Sequence, residues 1–122
     1  MKCDKELFPA FEGHQEAQEW REETTFCQDF LIAERFGIAA VKDTFNRAFK
    51  SWGKSAKYMC ELAVVTNQLC WRAAGMGMEE LGKVYNDAYY KCYNHIFKAD
   101  DEGNNASPFT DEEVTMIYNV LD

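Results

Sequence analysis

The sequence has little proline, 2 residues in 122, and no long hydrophobic run. Scarce proline excludes collagen-like and proline-rich classes. The longest unbroken apolar stretches, such as Leu62 to Val65, are four residues. A membrane span needs roughly 20. Positive charge is also in deficit: 13 Lys and Arg face 21 Asp and Glu, for a net charge of −8. That balance argues against a general nucleic-acid or anionic-membrane binder. The opening residues, Met1-Lys2-Cys3-Asp4-Lys5-Glu6, hold no apolar segment, so no secretory leader is expected. The five cysteines, Cys3, Cys27, Cys60, Cys70 and Cys92, include no Cys-x-x-Cys pair. Zinc ribbons and thioredoxin-type motifs therefore lack their spacing. An odd count fits free thiols in a reducing cytoplasm, where cysteines serve as small core hydrophobes.

Several sites are missing as well. No Glu-x-x-His pair occurs for a di-iron bundle, and neither a phosphate-binding glycine loop nor a hydrolase elbow is present. Aligning Gly103 with the glycine of a calcium loop puts Lys98 and Phe109 where oxygen donors are required, so an EF-hand fails. No cofactor is implied.

What the chain does contain is core. Apolar residues make up 47% and aromatics 15%, too much for a disordered chain, and the length suits one domain. Gly13, Gly37, Gly53 and Gly75 punctuate helix-like segments, where glycine suits the left-handed position past a helix end. A first helix is expected over 14–36. Its stripe is Phe26, Phe30 and Ala33, with Trp20, Cys27 and Leu31 beside it, and Thr24-Thr25 is a possible break. A second, over 38–52, carries Ile38, Val41, Phe45, Ala48, Phe49 and Trp52 at the i, i+3, i+4 spacing. A third, over 55–74, shows Tyr58, Leu62, Val65, Leu69 and Ala73, with Ser55 as its N-cap. A fourth, over 78–97, shows Leu81, Tyr85, Ala88, Cys92 and Ile96. After the polar loop 98–109, Thr110 and Glu113 form a capping box. That box starts a short helix with Val114, Ile117, Tyr118 and Leu121 inward. No alternating strand pattern competes. The expectation is an all-α, single-domain bundle of four to five helices, with residues 1–13 as an irregular lead-in.

The net charge conceals an asymmetry. Residues 1–36 carry four basic and nine acidic side chains, 37–78 six and two, and 79–122 three and ten. A basic centre thus lies between acidic ends. Lys42, Asn46 and Lys50 fall on one polar face of the second helix, and Arg47, Lys54 and Lys57 extend the positive region. This pattern fits either a solvated face balanced by acidic neighbours or a docking patch for an acidic partner, including a second copy in a homodimer. A small bundle cannot bury every large aromatic, so Trp52, Trp71, Tyr90 and Tyr93 join the candidate interaction surface.

Two alternatives carry chemistry. Cys92 and His95, at i, i+3, are a thiolate–imidazole pair or half a metal site, but zinc needs at least three protein ligands and His14 is distant in sequence. Ala33 and Gly37 followed by the second helix have helix-turn-helix spacing, although the hydrophobic position six residues after the glycine is Asp43. The basic stripe favours DNA there and the total charge opposes it.

One stretch is distinctive. Asp29-Phe30-Leu31-Ile32-Ala33-Glu34-Arg35-Phe36-Gly37 is followed by Asp43-Thr44-Phe45-Asn46-Arg47-Ala48-Phe49, then Trp52, Lys57-Tyr58, Glu61-Leu62, Asn67 and Trp71. Over residues 26–71 the chain resembles a family of small helical proteins, without assigned activity, encoded by phages and mobile elements of gut bacteria. Tyr118 to Asp122 matches more loosely, and loop 98–109 is longer than the family's pattern. The resemblance implies a bacterial or phage cytoplasm and brings no catalytic residues with it. Together these readings lead to a non-enzymatic protein–protein interaction module. A DNA-binding regulator using 38–52 and a thiol enzyme using Cys92 and His95 are the alternatives.

Overall fold

Where each helix forms, and where it stops, is local chemistry. The structure, a computed structural model, describes residues 26–121. The expected part of the first helix before Phe26 lies outside them, as do Trp20, Gly13, His14 and Cys3. Helices α1 (Phe26–Glu34), α2 (Ile38–Trp52), α3 (Ala56–Gly75), α4 (Glu79–Ile96) and α5 (Asp111–Leu121) account for the regular structure. Among the described residues no strand occurs; a single antiparallel bridge joins Ala99 to Asn105. The fold is an all-α bundle.

α1 ends at Glu34, earlier than the periodicity predicts. Arg35, Phe36 and Gly37 form a tight turn, and Gly37 at φ 110° takes a conformation that a side chain resists. Ser55 caps α3 as expected, its Oγ accepting from the Tyr58 N–H at 3.3 Å. The far end of α3 differs from expectation. Gly75 is the last helical residue, and Gly77, at φ 74°, is the left-handed one. The Gly77 N–H donates to the Ala74 carbonyl at 3.1 Å and the Met78 N–H to the Ala73 carbonyl at 2.9 Å. That is a Schellman closure, which satisfies carbonyls the helix leaves over. Gly53 likewise stays in right-handed helical space at φ −63°. The capping box of α5 is present: Thr110 N–H donates to Glu113 Oε1 at 3.0 Å, and Glu113 N–H to Thr110 Oγ1 at 3.2 Å.

α3 is the central helix and packs against all the others. Its buried residues run from Ala56 through Leu62, Val65 and Leu69 to Ala73. α4 lies antiparallel along it and contributes Leu81, Tyr85, Ala88, Cys92 and Ile96, the stripe read from the sequence. Gly82 is buried at this contact, facing Ala73 and the Cys70 carbonyl of α3. α1 adds Phe30, whose ring meets Tyr85 edge-on at 5.6 Å. Polar groups enter α3 too. Thr66 returns its hydroxyl to the Leu62 carbonyl at 2.8 Å, and Glu61 is 1% exposed.

Two inward assignments need correction. Trp52, on the stripe of α2, is 41% exposed, and Tyr118 of α5 is exposed as well. Trp52 is the last residue of α2, and Tyr118 lies to one side of buried Ile117, its ring edge-on to Phe97 at 6.1 Å. The loop 98–109 is more built than its polar composition suggests. Asp100 Oδ1 accepts from the Glu102 and Asn104 N–H groups at 2.9 Å each, and Phe109 is buried.

Candidate interaction surface

α2 buries Val41 and Phe45 and turns the opposite face outward. On that outer face Lys42, Asn46 and Lys50 are exposed, as their spacing predicts. Arg47 is a different case: its Nε lies 3.0 Å from Asp43 Oδ2, one turn back. The pair largely cancels itself, so Arg47 adds little to the positive field.

The charge gathers instead at the end of α2. Trp52 packs on Tyr58 with ring centroids 4.3 Å apart and planes tilted by 41°. Phe26 meets the same tyrosine edge-on at 6.3 Å, and Lys57 Nζ stands 5.8 Å over its ring. Lys54 is exposed in the intervening turn, closed by the Ser55 N–H donating to the Trp52 carbonyl at 3.0 Å. The outcome is a half-exposed indole packed on another ring, with Lys54 exposed in the turn that follows and Lys50 exposed on the other side of the last turn of α2. One further cation comes from outside the sequence-predicted set. Lys91 of α4 places Nζ 4.9 Å from the Phe49 ring centre and 5.9 Å from that of Phe45. Nothing local in the sequence marks Lys91, because the contact joins residues 42 apart and depends on how α4 crosses α2.

The other predicted aromatics do not belong to this corner. Trp71 is 70% exposed, but it lies 13 residues beyond Tyr58 on α3. At 1.5 Å per residue that is about 20 Å away. Tyr90 and Tyr93 cluster with Tyr89, at 5.5 and 6.1 Å from it. The cluster continues through Phe97 to Tyr118 of α5. Burial and the neighbouring tyrosines hold the Tyr89 hydroxyl above its ordinary pKa. The nine residues read from the sequence as one surface therefore separate: Lys50, Trp52, Lys54 and Lys57 gather around the end of α2, Lys42 and Arg47 lie further back along it, Trp71 stands apart, and Tyr90 and Tyr93 join a tyrosine cluster.

The second end of the bundle was not legible in the sequence. Arg72 Nη1 donates to Glu34 Oε1 at 2.9 Å and to Oε2 at 3.1 Å, and the Tyr85 hydroxyl donates to Oε2 at 2.8 Å. These bonds tie α1, α3 and α4 together where both helix turns lie. Burial, then the Glu34 charge and hydrogen bond, push the Tyr85 hydroxyl well above its ordinary value. Beside the tie is a groove of about 370 Å³ lined by Glu34, Gly37, Ile38 and Met78 to Leu81. Phe36, at 78% exposed, and Met76 project from the adjacent turns.

Cys92 and His95 share a helix face but not a task. Cys92 is fully buried, and burial pushes its thiol up to about 12, with Lys91 offsetting only part. That is opposite to what a nucleophilic thiolate requires. His95 is held elsewhere. Its Nε2 lies 2.6 Å from the Gly53 carbonyl, which only accepts, so Nε2 carries the proton and donates. The ring meets Phe49 and Phe109 edge-on at 5.1 and 5.7 Å. His95 thereby fastens the end of α4 to the α2–α3 turn. Among the described residues no group of three or more His, Cys, Asp or Glu is placed to hold a metal ion. No helix there is long and apolar enough to cross a membrane.

No protein-family model, no curated protein and no solved structure matches the chain.

Proposed function

We propose that this protein is a non-enzymatic interaction module that docks on an acidic protein surface through the corner formed by Trp52, Lys50, Lys54 and Lys57. The observation that carries the reading is the Trp52–Tyr58 ring contact at 4.3 Å, with Lys57 Nζ over the tyrosine and Lys50 and Lys54 exposed nearby in sequence. A rigid, partly exposed indole is the residue type that anchors protein interfaces. Lysines around it steer an acidic partner and set orientation. The cytoplasmic setting and the phage or mobile-element origin belong to the same proposal and rest on the resemblance over residues 26–71. An accessory role that modulates a host protein extends it.

The test is affinity capture from bacterial lysate with wild type and Lys50→Glu/Lys54→Glu as baits, at low and high salt. Acidic partners retained by wild type at low salt, and lost on charge reversal or added salt, support the reading. Identical captures by both baits would sink it.

DNA binding through α2 is the second reading, favoured by one feature: α1 and α2 are joined by a three-residue turn, 35–37, and Lys42, Asn46 and Lys50 lie on the exposed face of the second helix. An Asp43–Arg47 pair on that face weakens it. A mobility-shift titration at low salt decides between the two. The thiol-enzyme alternative is the least supported, given the buried Cys92 and the engaged His95.

A further inference from the structure

We propose that the groove between the two helix turns receives the cationic aromatic corner of a second copy of this chain, so that copies join head to tail. The inference rests on the reading of the Trp52 corner as a docking surface and names its occupant.

The groove combines apolar and acidic side chains. Ile38, Met78 and Leu81 line it together with Glu34 and with Glu79 and Glu80, which are exposed at the start of α4. The Glu34–Arg72 ion pair joins the ends of α1 and α3, and Glu34 is part of the lining. Exposed Phe36 and Met76 stand nearby, and methionine adapts its shape to an incoming ring. Such a site accepts a bulky apolar anchor carried between positive charges. Trp52 is such an anchor on this same chain, with exposed Lys54 in the turn that follows it and exposed Lys50 in the same last turn of α2.

The two surfaces cannot meet within one molecule. Ile38 is the first residue of α2 and Trp52 the last. Fourteen residues of helix separate them by about 21 Å, so the groove and the corner lie at opposite ends of α2. Complementary surfaces at opposite ends are satisfied between copies. A contact joining two different patches is heterologous, and unless rotation closes a ring it propagates. The expected assemblies therefore grow with concentration rather than stopping at two. Exposed charges on both sides make them salt-sensitive, because screening acts over about 10 Å at 0.1 M salt.

The test is sedimentation velocity on the full chain across a concentration series, at low and high salt. The samples are wild type, Glu79→Lys/Glu80→Lys, Lys50→Glu/Lys54→Glu, and an equal mixture of the two variants. Wild type should associate at low salt and separate at high salt. Each variant alone should associate about tenfold more weakly or worse. The mixture should regain association, because one intact groove then meets one intact corner. Met78→Ser, which leaves all charges in place, should also weaken association and guards against a folding effect of lysines at a helix N-terminus. Each variant's helix content is checked by circular dichroism. Wild type that stays monomeric at low salt, or associates equally well after Glu79→Lys/Glu80→Lys and after Met78→Ser, overturns the inference. A glutamate-rich peptide, titrated in parallel, separates this failure from that of the corner itself. Peptide binding that is lost in Lys50→Glu/Lys54→Glu, without self-association, leaves the corner as a docking surface for another protein and rejects only the second copy. No peptide binding and no self-association reject both.

Discussion

Helices α2 and α3 are consecutive and in contact, but they hold different things. α2 seats Val41 and Phe45 in the core, with Ala40, Ala48 and Phe49 packed beside them, and gives its outer face to solvent and its end to the ring contact at Trp52. α3 is buried on nearly every side and contacts every other helix. The difference separates stability from recognition. Substitutions in α3 are expected to act on folding, and substitutions on the outer face of α2 on binding. The sharpest way to break that separation is Leu69→Ala. Leu69 is fully buried between helices. Removing its side chain leaves a cavity and should cost about 2–5 kcal/mol by urea denaturation, a large part of a stability of roughly 5–15 kcal/mol. Lys50→Ala on α2, measured alongside, should shift stability by less than about 0.5 kcal/mol. A loss on α2 comparable to that on α3 would erase the distinction.

The next effect comes from the polar tie that joins both regions. Tyr85→Phe deletes the hydroxyl that donates to Glu34 and leaves the carboxylate with Arg72 alone. A hydrogen bond to a charged group is worth about 1.5–3 kcal/mol, and a loss in that range is expected, again by urea denaturation. Arg72→Ala in the Tyr85→Phe background should lose less than in wild type if the three groups act as one network. Simple additivity would show that the tie is two independent contacts.

The helical frame was legible because it is written locally. The second, fourth and fifth helices show periodic stripes, and Ser55 and the Thr110–Glu113 box mark two starts. What escaped is what depends on approach between distant segments. Glu34, Arg72 and Tyr85 come from three helices, and no spacing links residues 38 and 51 apart. Lys91 is an ordinary surface lysine until α4 is laid against Phe49. α3 shows the reverse difficulty. Its stripe was read correctly, but a stripe implies one buried face, and Cys60, Glu61 and Gln68 are buried beyond it. The candidate surface was over-joined for the same reason: positions along a chain give no distance between Trp52 and Trp71.

A third prediction uses pH. Cys92 is neutral in the fold, with its thiol pushed up to about 12 from an ordinary 9, and burial is the main cause. The unfolded chain releases that proton above pH 9, whereas the folded chain holds it. Stability from this group is complete below 9 and is lost as pH rises from 9 to about 12. Tyr85 and Cys60, both also raised, act in the same direction. Cys92→Ala should therefore show a shallower alkaline loss than wild type in denaturation at pH 8 to 11. A thiol reagent at neutral pH should modify Cys92 only at the rate of unfolding. Rapid modification of the native protein would mean that α4 opens, and that its core side is less closed than that of α3.

The smallest effect belongs to Arg47, and it tests the surface side of the comparison most finely. Its bond to Asp43 at 3.0 Å spans one turn between two exposed side chains. Exposed pairs at this spacing contribute about 0.3–0.5 kcal/mol, so Arg47→Ala should scarcely move the denaturation midpoint. Binding should move more. Without the guanidinium, Asp43 faces solvent as an uncompensated charge on the same face as Lys42 and Lys50, and the positive field there weakens. Low-salt affinity for an acidic peptide should fall, and added salt should narrow the gap from wild type because screening acts on both. A stability loss above about 1 kcal/mol would exceed what an exposed pair supplies and would place Arg47 in the packing between α1 and α2 rather than on a recognition face.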